Sequence, residues 1–215
     1  RSLYVFAGEA NVGKSIFLGN IACNIASKGK TVLVISLEMS EMIYARRLSS
    51  NITRIPMREL KGAGQSLSAQ IKSYNNGKPN SKILIKEFPP STVTPQNIQG
   101  YITELKNRGI KVDAVVLDYL NLLKSPLGDN SYERVKHVAE GIRALSYVFE
   151  CPFISATQLN RSGYDEANPG LDTISESIGM AATADCIFSI FQDDEDKELG
   201  IVKMGMMKNR YGANY

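Results

Sequence analysis

The segment that most constrains this chain is residues 8–15, which read GEANVGKS directly after the apolar run 3–7. They match the pattern GxxxxGK[ST], and a strand before it with an apolar-periodic helix after it is the usual setting of a phosphate-binding loop. Its two glycines let the backbone curl, so that N–H groups point at an anion and the following helix adds its positive dipole end. A glycine-rich turn that matches by chance is the alternative, and the flanking strand and helix argue against it.

We therefore predict that this loop binds the phosphates of a nucleotide. Lys14 is expected to reach the β and γ phosphates, and the hydroxyl of Ser15 is expected to hold Mg²⁺. The predicted nucleotide-binding residues are Gly8, Glu9, Ala10, Asn11, Val12, Gly13, Lys14 and Ser15.

Strands and helices alternate along the rest of the chain. The run 31–37 is apolar and β-branched with almost no alternation, which is typical of a strand covered on both faces of a parallel sheet. The pattern indicates an α/β domain with a mostly parallel sheet flanked by helices. The predicted strands cover 3–7, 31–37, 82–88, 112–117, 152–157, 186–191 and 201–207. The predicted helices cover 14–28, 40–50, 65–75, 95–108, 132–150 and 176–184, and an acidic turn is expected at 193–198.

Length and composition fit one domain over residues 1–215. Hydrophobic residues make up 43% of the chain, enough for a substantial core. The net charge of +3 is too small to predict nucleic-acid binding by itself, so any basic surface must be local. The three cysteines lie far apart in apolar stretches and predict buried thiols in a reducing compartment. No apolar run approaches the roughly 18 residues of a membrane span, and because the chain begins at Arg1 we expect a fragment of a longer protein.

Polar residues follow several of the apolar strands, where ligands bind in parallel sheets. Glu38 is the best candidate to orient and deprotonate an attacking water, and Asp118 to hold the Mg²⁺ shell. Gln158 can donate and accept hydrogen bonds and so sense the γ-phosphate. Ordinary helix-start or strand-end carboxylates and a surface glutamine are the alternatives.

A basic pair, Lys208 and Arg210, comes after the last predicted strand. Such a pair is often only a solvated surface. An arginine at this place can instead stabilise the transition-state charge on a phosphate, either in its own subunit or in a neighbouring one.

Taken together, the motifs resemble those of the ATPase domain of the replicative ring helicases, the DnaB-like family, and especially its phage versions. SLEM after the second strand, QLNR after a later one and KxRxG near the end are diagnostic in combination. The stretch 174–185, ISESIGMAATAD, is similar as well. The segments that agree in order are GEANVGKS, ISLEMS, VVLDYLNLL, SATQLNRS and KNRYG.

The resemblance implies a RecA-like core in a hexameric ring that encircles single-stranded DNA, with ATP bound between subunits. It gives Glu38, Asp118 and Gln158 the roles of catalytic base, metal support and γ-phosphate sensor. It makes Arg210 a finger inserted into the adjacent subunit's site, with Lys208 beside it. It also implies a primase and a helicase loader as partners, movement from 5′ to 3′, and the cytoplasm of a bacterium or a phage-infected cell.

The same resemblance places two loops at the central channel, roughly 124–134 and 160–176. Cationic side chains there would neutralise DNA phosphates, and backbone N–H groups near 176–179 would follow the strand. The predicted DNA-binding residues are Lys124, Arg134, Arg161, Glu176, Ser177 and Gly179. The chain departs from the family at 175–178, which reads SESI where many members carry Arg-Glu-Ser-Gly. A surface loop followed by a small-residue packing helix is therefore the alternative for the second loop.

The predicted function is that of a motor that hydrolyses ATP at subunit interfaces, moves along single-stranded DNA and unwinds duplex. A RecA/RadA-like recombinase or a related ATP-switch ATPase is the alternative, since it shares the phosphate loop and the glutamate after the second strand. We find in the sequence neither the polymerisation segment nor the longer DNA loops expected of a recombinase. A third reading is a non-catalytic nucleotide-binding module such as a loader, which would need neither Glu38 nor Asp118.

Overall fold

The computed structural model describes residues 1–78, 80–125, 131–159 and 178–212, and within them strands alternate with helices. The predicted strands and helices are all present, with ends that differ by a few residues. The strands are β1 Leu3–Gly8, β2 Thr31–Ser36, β3 Lys82–Glu87, β4 Ala114–Asp118, β5 Phe153–Gln158, β6 Cys186–Phe191 and β7 Lys203–Asn209. The helices are α1 Lys14–Ala26, α2 Glu41–Thr53, α3 Gly64–Asn75, α4 Pro95–Asn107, α5 Ser131–Val148, α6 Ile178–Thr183 and α7 Asp194–Leu199.

The strands form one 7-stranded sheet in the order β3-β2-β4-β5-β1-β6-β7. Strands β1 to β6 are parallel, and β7 pairs antiparallel with β6. The α/β prediction with a mostly parallel sheet is therefore confirmed. The parallel strands place their carboxyl ends along one edge of the sheet, which we call the carboxyl edge. The reversed β7 ends at the opposite, amino edge, where Asn209 pairs with Cys186.

Alternate side chains of β2 pack into two apolar layers, one on each face of the sheet. Leu33 and Ile35 belong to the layer covered by α4, α5 and α6. Val32 and Val34 belong to the layer covered by α1 and α2. Because successive side chains of a strand point to opposite faces, a strand covered on both sides must be apolar throughout. Burying each such side chain contributes roughly 1.5–3 kcal/mol, which anchors the sheet beneath the site.

Capping side chains fix where two of the helices begin. The Ser40 hydroxyl accepts the N–H of Ile43, so that α2 starts immediately after the turn that follows β2. Thr94 and Asn97 form a reciprocal capping box at α4, with Pro95 in its first turn. Both helix starts confirm the prediction.

In the described part of the chain, no helix is both long and apolar enough to cross a membrane.

The chain after β6 differs from the prediction. Residues 193–198, expected to form an acidic turn, instead enter α7, because Asp193 and Asp196 cap each other's backbone N–H groups and Gly200 ends the helix in the left-handed region. Because the helix and its cap come first, the last strand begins later in the sequence than predicted, at Lys203, and ends at Asn209. Lys208, expected to follow this strand, therefore lies within it.

The three cysteines are buried free thiols, as predicted. Cys23 lies on α1 and Cys186 on β6, while Cys151 precedes β5. Burial raises the pKa of Cys23 and that of Cys151 to about 11. These two thiols therefore stay protonated near neutral pH and pack as small apolar groups.

Candidate active site

The loop between β1 and α1 is tightly curled, with close backbone approach at Gly8 and left-handed conformations at Asn11 and Gly13. A Cβ atom on Gly8 would lie 2.8 Å from Val12 Cγ1 and 2.9 Å from the carbonyl oxygen of Ile190, so a side chain there would force the backbone apart. Gly13 has a φ of 93° and Asn11 a φ of 63°, both in the left-handed region. No described side chain caps the first turn of α1, so its N–H groups are available to an anion.

Lys14 folds back over this loop. Its ammonium donates to the carbonyl oxygens of Gly8 at 3.0 Å and Glu9 at 2.5 Å. Burial lowers the pKa of Lys14, and the carboxylates of Glu38, Asp118 and Glu9 oppose that shift. The loop thus carries a cation at its mouth, held by backbone oxygens that phosphate oxygens can replace as acceptors.

A cavity of about 350 Å³ at the carboxyl edge brings the predicted ATP-site residues together. Ala10, Asn11 and Gly13 line it from the loop. Its lining also includes the charged or polar residues Lys14, Ser15, Glu38, Arg47, Asp118 and Gln158. Val12 lies beside Gly8 instead, and Glu9 contributes its carbonyl oxygen to Lys14.

Asp118 ends the central strand β4 and is fully buried. Among the described residues, neither of its carboxylate oxygens has a hydrogen-bond partner. Burial raises the pKa of Asp118 above its ordinary value, and Glu38 adds to the shift. The Ser15 hydroxyl, which lies near the carboxylate without completing a hydrogen bond, opposes the shift, as do Arg47 and Lys14. A buried carboxylate without donors is costly unless a cation neutralises it.

This donor set fits Mg²⁺. Magnesium prefers hard oxygen ligands, usually one or two from the protein with water and phosphate oxygens around them. The hydroxyl of Ser15 and the unpartnered oxygens of Asp118 are such groups, and both residues line the cavity.

Glu38 stands on the neighbouring strand end, exposed to the cavity. Ser36, at the end of β2, pairs with Asp118 in the sheet, so Glu38 lies two residues beyond the position that is level with Asp118. The Ser36 hydroxyl accepts the N–H of Met39 at 3.0 Å and donates to its carbonyl oxygen at 2.6 Å. These bonds fix the turn that carries Glu38.

Gln158 ends β5 directly beside the phosphate loop. It pairs with Gly8 in the parallel register, and the next N–H, that of Leu159, donates to the carbonyl oxygen of Gly8 at 3.2 Å. Gln158 is half-buried and lines the cavity. Backbone hydrogen bonds therefore connect the phosphate loop directly to the end of β5.

Arg47, on α2, lines the same cavity and was missed by the sequence reasoning. Its charge lowers the pKa of both Asp118 and Tyr44, opposing the burial that raises each. The signal was present in the sequence, because Arg47 follows Tyr44 by one helical turn and directly precedes Leu48, two residues of the inner face. A cation on the apolar side of a helix that begins beside Glu38 indicates a buried or ligand-bound anion nearby.

Lys208 and Arg210 lie at the amino edge, away from the cavity of their own subunit. The N–H of Arg210 donates to the carbonyl oxygen of Asp185, directly before β6. The 6 residues of β1 separate the two edges by roughly 16 Å. The basic pair was predicted to act either on a phosphate in its own subunit or on one in a neighbouring subunit. The direction of β7 disfavours the first of these alternatives.

The predicted DNA-binding residues divide into three groups. Lys124 and Arg134 line a second cavity, of about 390 Å³, between the 3₁₀ turn after β4 and the start of α5. Gly179 is buried in α6, where an added Cβ would lie 2.7 Å from Lys136 Cβ, so this glycine permits close packing of α6 on α5. Arg161, Glu176 and Ser177 fall outside the described residues.

The family model for the DnaB-like helicase C terminal domain matches residues 1–214. The chain belongs to this family. A relative described as a DnaB-like replicative helicase, from Enterobacteria phage T4, is 26% identical over 98% of this chain. The replicative DNA helicase DnaB of Pasteurella multocida is 29% identical over 96% of it. The alignments cover 46% and 47% of these two relatives, so this DnaB-like chain spans about half their length.

Two solved structures share the fold. A solved ATPase domain superimposes with a TM-score of 0.83 at 23% identity, covering 100% of this chain and 79% of that one. A DnaB-like replicative helicase, solved in a study of its interactions with primase, also gives a TM-score of 0.83, at 22% identity, with 100% and 54% covered. The predicted RecA-like core is confirmed by these similarities.

Proposed function

We propose that this chain is the ATP-hydrolysing motor domain of a replicative DNA helicase. In this proposal the domain works in a ring of identical subunits, hydrolyses ATP at the interfaces between them, and moves along single-stranded DNA so that duplex is unwound. Family membership supports the class of activity. The observation that carries the proposal is the cavity in which Lys14, Ser15, Glu38, Asp118 and Gln158 meet.

The chemistry follows from the charges around that cavity. The loop N–H groups and Lys14 bind the phosphates of ATP, and Glu38 accepts the proton of the water that attacks the γ-phosphorus. Gln158 orients that water or senses the γ-phosphate by hydrogen bonding. Arg47 adds a cation on the far wall, placed to balance phosphate charge. Phosphoryl transfer needs this positioning and charge compensation more than covalent participation.

Ser15 and Asp118 would hold Mg²⁺ here, Asp118 through water. When bound, Mg²⁺ neutralises charge on the β and γ phosphate oxygens. Its presence would also satisfy the buried carboxylate of Asp118, whose oxygens have no partner in the described structure.

In the proposed assembly, Arg210 acts across the subunit interface. Its position at the amino edge supports this reading, because it is separated from the cavity of its own subunit by the whole length of β1. Its side chain is partly exposed and hence accessible to a neighbour. A cyclic arrangement with a head-to-tail interface would bring the amino edge of one subunit to the cavity of the next. We propose a hexamer, and Lys208 as a companion cation.

Single-stranded DNA is the proposed polymer substrate. Lys124 and Arg134, which line one cleft, would bind its phosphates. Residues 160–177 would provide the second contact, including Arg161, Glu176 and Ser177, whereas the burial of Gly179 against Lys136 favours the packing-helix alternative for α6. Primase is proposed as a partner because a structural relative was solved with its primase interactions, and a loader is proposed on kinship. The bacterial and phage relatives support the cytoplasm of such a cell as its location.

The decisive experiment is an ATPase titration with and without single-stranded DNA over a range of protein concentrations. We expect turnover per protomer to rise with protein concentration and with DNA. Glu38→Gln should bind ATP normally while turnover falls by roughly 10³-fold. The matched control is Glu41→Gln, an exposed carboxylate at the start of α2 outside the cavity lining, which should keep full activity. Turnover that is independent of both DNA and protein concentration would contradict the proposal.

A further inference from the structure

Asp185 is a buried carboxylate at the amino edge on which several donors converge. Its Oδ2 accepts the N–H of Leu3 at 3.0 Å. Arg143 of α5 donates to it through Nε and Nη2, at 3.1 Å to Oδ2 and 2.9 Å to Oδ1. The hydroxyl of Tyr211 donates at 3.2 Å, and Arg210 Nε forms an ion pair at 3.2 Å. A buried carboxylate is stable when it is paired and hydrogen-bonded in this way.

The carboxyl end of α6 receives both cations of the basic pair. Lys208 Nζ donates to the carbonyl oxygens of Ala181 at 2.5 Å and Ala182 at 3.1 Å. Arg210 Nη2 donates to those of Ala182 at 2.9 Å and Thr183 at 3.2 Å. The last carbonyl groups of a helix lack intrahelical donors and attract cations. The Arg210 guanidinium is thus held by a carboxylate on one side and by helix carbonyls on the other.

The groups that hold Arg210 are themselves fixed. Gly179 lets α6 approach Lys136 of α5 more closely than any side chain would allow. The Arg143 guanidinium lies 5.3 Å from the ring centroid of Tyr147 and donates to its hydroxyl at 3.1 Å. Asp185 therefore joins α5 to Arg210, and Arg210 and Lys208 join the end of β7 to α6.

We propose that Asp185 is a positioning residue for ATP hydrolysis, which holds the Arg210 guanidinium in the place from which it enters the neighbouring subunit's site. This inference rests on the proposed role of Arg210. Among the described contacts, Arg210 Nε is engaged by Asp185 and Nη2 by the α6 carbonyl oxygens, whereas Nη1 has none, so Nη1 is the part of the guanidinium open to a neighbour. A free arginine would lose rotamer entropy on insertion, and a misplacement of about 1 Å can cost roughly 10²-fold in rate.

The test is the kcat of DNA-stimulated ATP hydrolysis in Asp185→Asn. We expect kcat to fall by at least about tenfold while KM for ATP stays within about twofold, since Asp185 touches no part of the nucleotide cavity. The matched control is Asp113→Asn. Asp113 also accepts the first N–H of a strand, that of Thr31 at 3.0 Å, and among its described contacts neither Arg210 nor α6 appears. Its kcat should stay at the wild-type value.

A double variant separates positioning from a merely structural role. If Asp185 acts through Arg210, then Asp185→Asn should lower kcat little further in an Arg210→Lys background. Multiplicative losses, or a wild-type kcat in Asp185→Asn while Arg210→Lys is impaired, would overturn the inference and leave the proposed function intact. Wild-type turnover in Arg210→Ala would overturn the trans finger itself. Should Asp185→Asn fail to fold, Tyr211→Phe takes its place, because it removes only the hydrogen bond from the exposed Tyr211 hydroxyl to Asp185. Its kcat is then compared in the wild-type and Arg210→Lys backgrounds in the same way.

Discussion

At the carboxyl edge of the sheet, the buried Asp118 has no hydrogen-bond partner within the described residues, whereas at the amino edge the buried Asp185 is bound by a backbone N–H, a tyrosine hydroxyl and two arginines. Both carboxylates adjoin ends of strands of the same sheet and both are fully buried. The carboxyl edge therefore retains binding capacity that a ligand can satisfy. The amino edge satisfies its own charges and holds a cation in a defined place. In the proposed assembly the two edges complete each other across a subunit interface.

The largest effect is expected when the two edges are inactivated in different protomers. Lys14→Ala removes phosphate binding and Arg210→Ala removes the finger, so each variant alone should lose roughly 10³-fold in ATP turnover. Mixed and reassembled at equal amounts, they should recover activity at about a quarter of the interfaces, those that combine one intact edge from each parent. DNA-stimulated ATPase of the mixture measures this recovery.

Each variant mixed with wild-type protein at the same ratio serves as the control for subunit exchange. A mixture of the two variants that is no more active than either parent, under conditions in which the control shows exchange, would mean that the edges do not meet across an interface.

A smaller effect of opposite sign at the two carboxylates should appear in folding stability. Asp185→Asn leaves Arg143 and Arg210 without their counter-charge and should lower the free energy of unfolding by roughly 2–4 kcal/mol. Asp118→Asn removes a buried charge that has no donor among the described residues and should raise it by about 1–2 kcal/mol when Mg²⁺ and nucleotide are absent. Urea unfolding of the two variants and wild type measures both changes, and equal signs would remove the distinction between the edges.

The smallest expected effect is the pH dependence of those two differences. Burial alone would raise the pKa of Asp185, but hydrogen bonds from Arg143 and Leu3, with the charges of Arg143 and Arg210, hold it below its ordinary value. The contribution of ionised Asp185 to the free energy of unfolding is therefore complete above about pH 3.9, and it is lost as pH falls through the lower folded-state pKa. The pKa of Asp118 is raised, chiefly by burial. The destabilisation of the fold by ionised Asp118 therefore disappears as pH falls through that raised pKa toward about 3.9.

Unfolding measured as a function of pH should therefore show two separate windows. As pH falls, the advantage of Asp118→Asn over wild type should shrink while the pH is still above about 3.9, and the deficit of Asp185→Asn should shrink only below it. Identical windows for the two variants would show that the carboxylates share one environment.

Local sequence signals were enough for the nucleotide side of the site. The phosphate loop is continuous in the chain, and Glu38, Asp118 and Gln158 each follow an apolar strand. In a parallel sheet those strand ends must lie along one edge, so their meeting in one cavity followed from the strand pattern. Arg47 was not predicted, because its place beside Tyr44 and Leu48 indicates only that some anion lies nearby, and the packing of α2 decides that this anion belongs to the cavity.

The order of strands and helices, the phosphate loop and the polar residues at the carboxyl edge could all be predicted from the amino-acid sequence, because they depend on spacing along the chain. The antiparallel direction of β7, the full strand length between Arg210 and its own cavity, and the contact of Arg210 with Asp185 became evident only in the folded protein. Hydrophobic periodicity specifies which faces of a strand are buried but not its direction or its neighbours. Those are decided by pairing between residues distant in sequence.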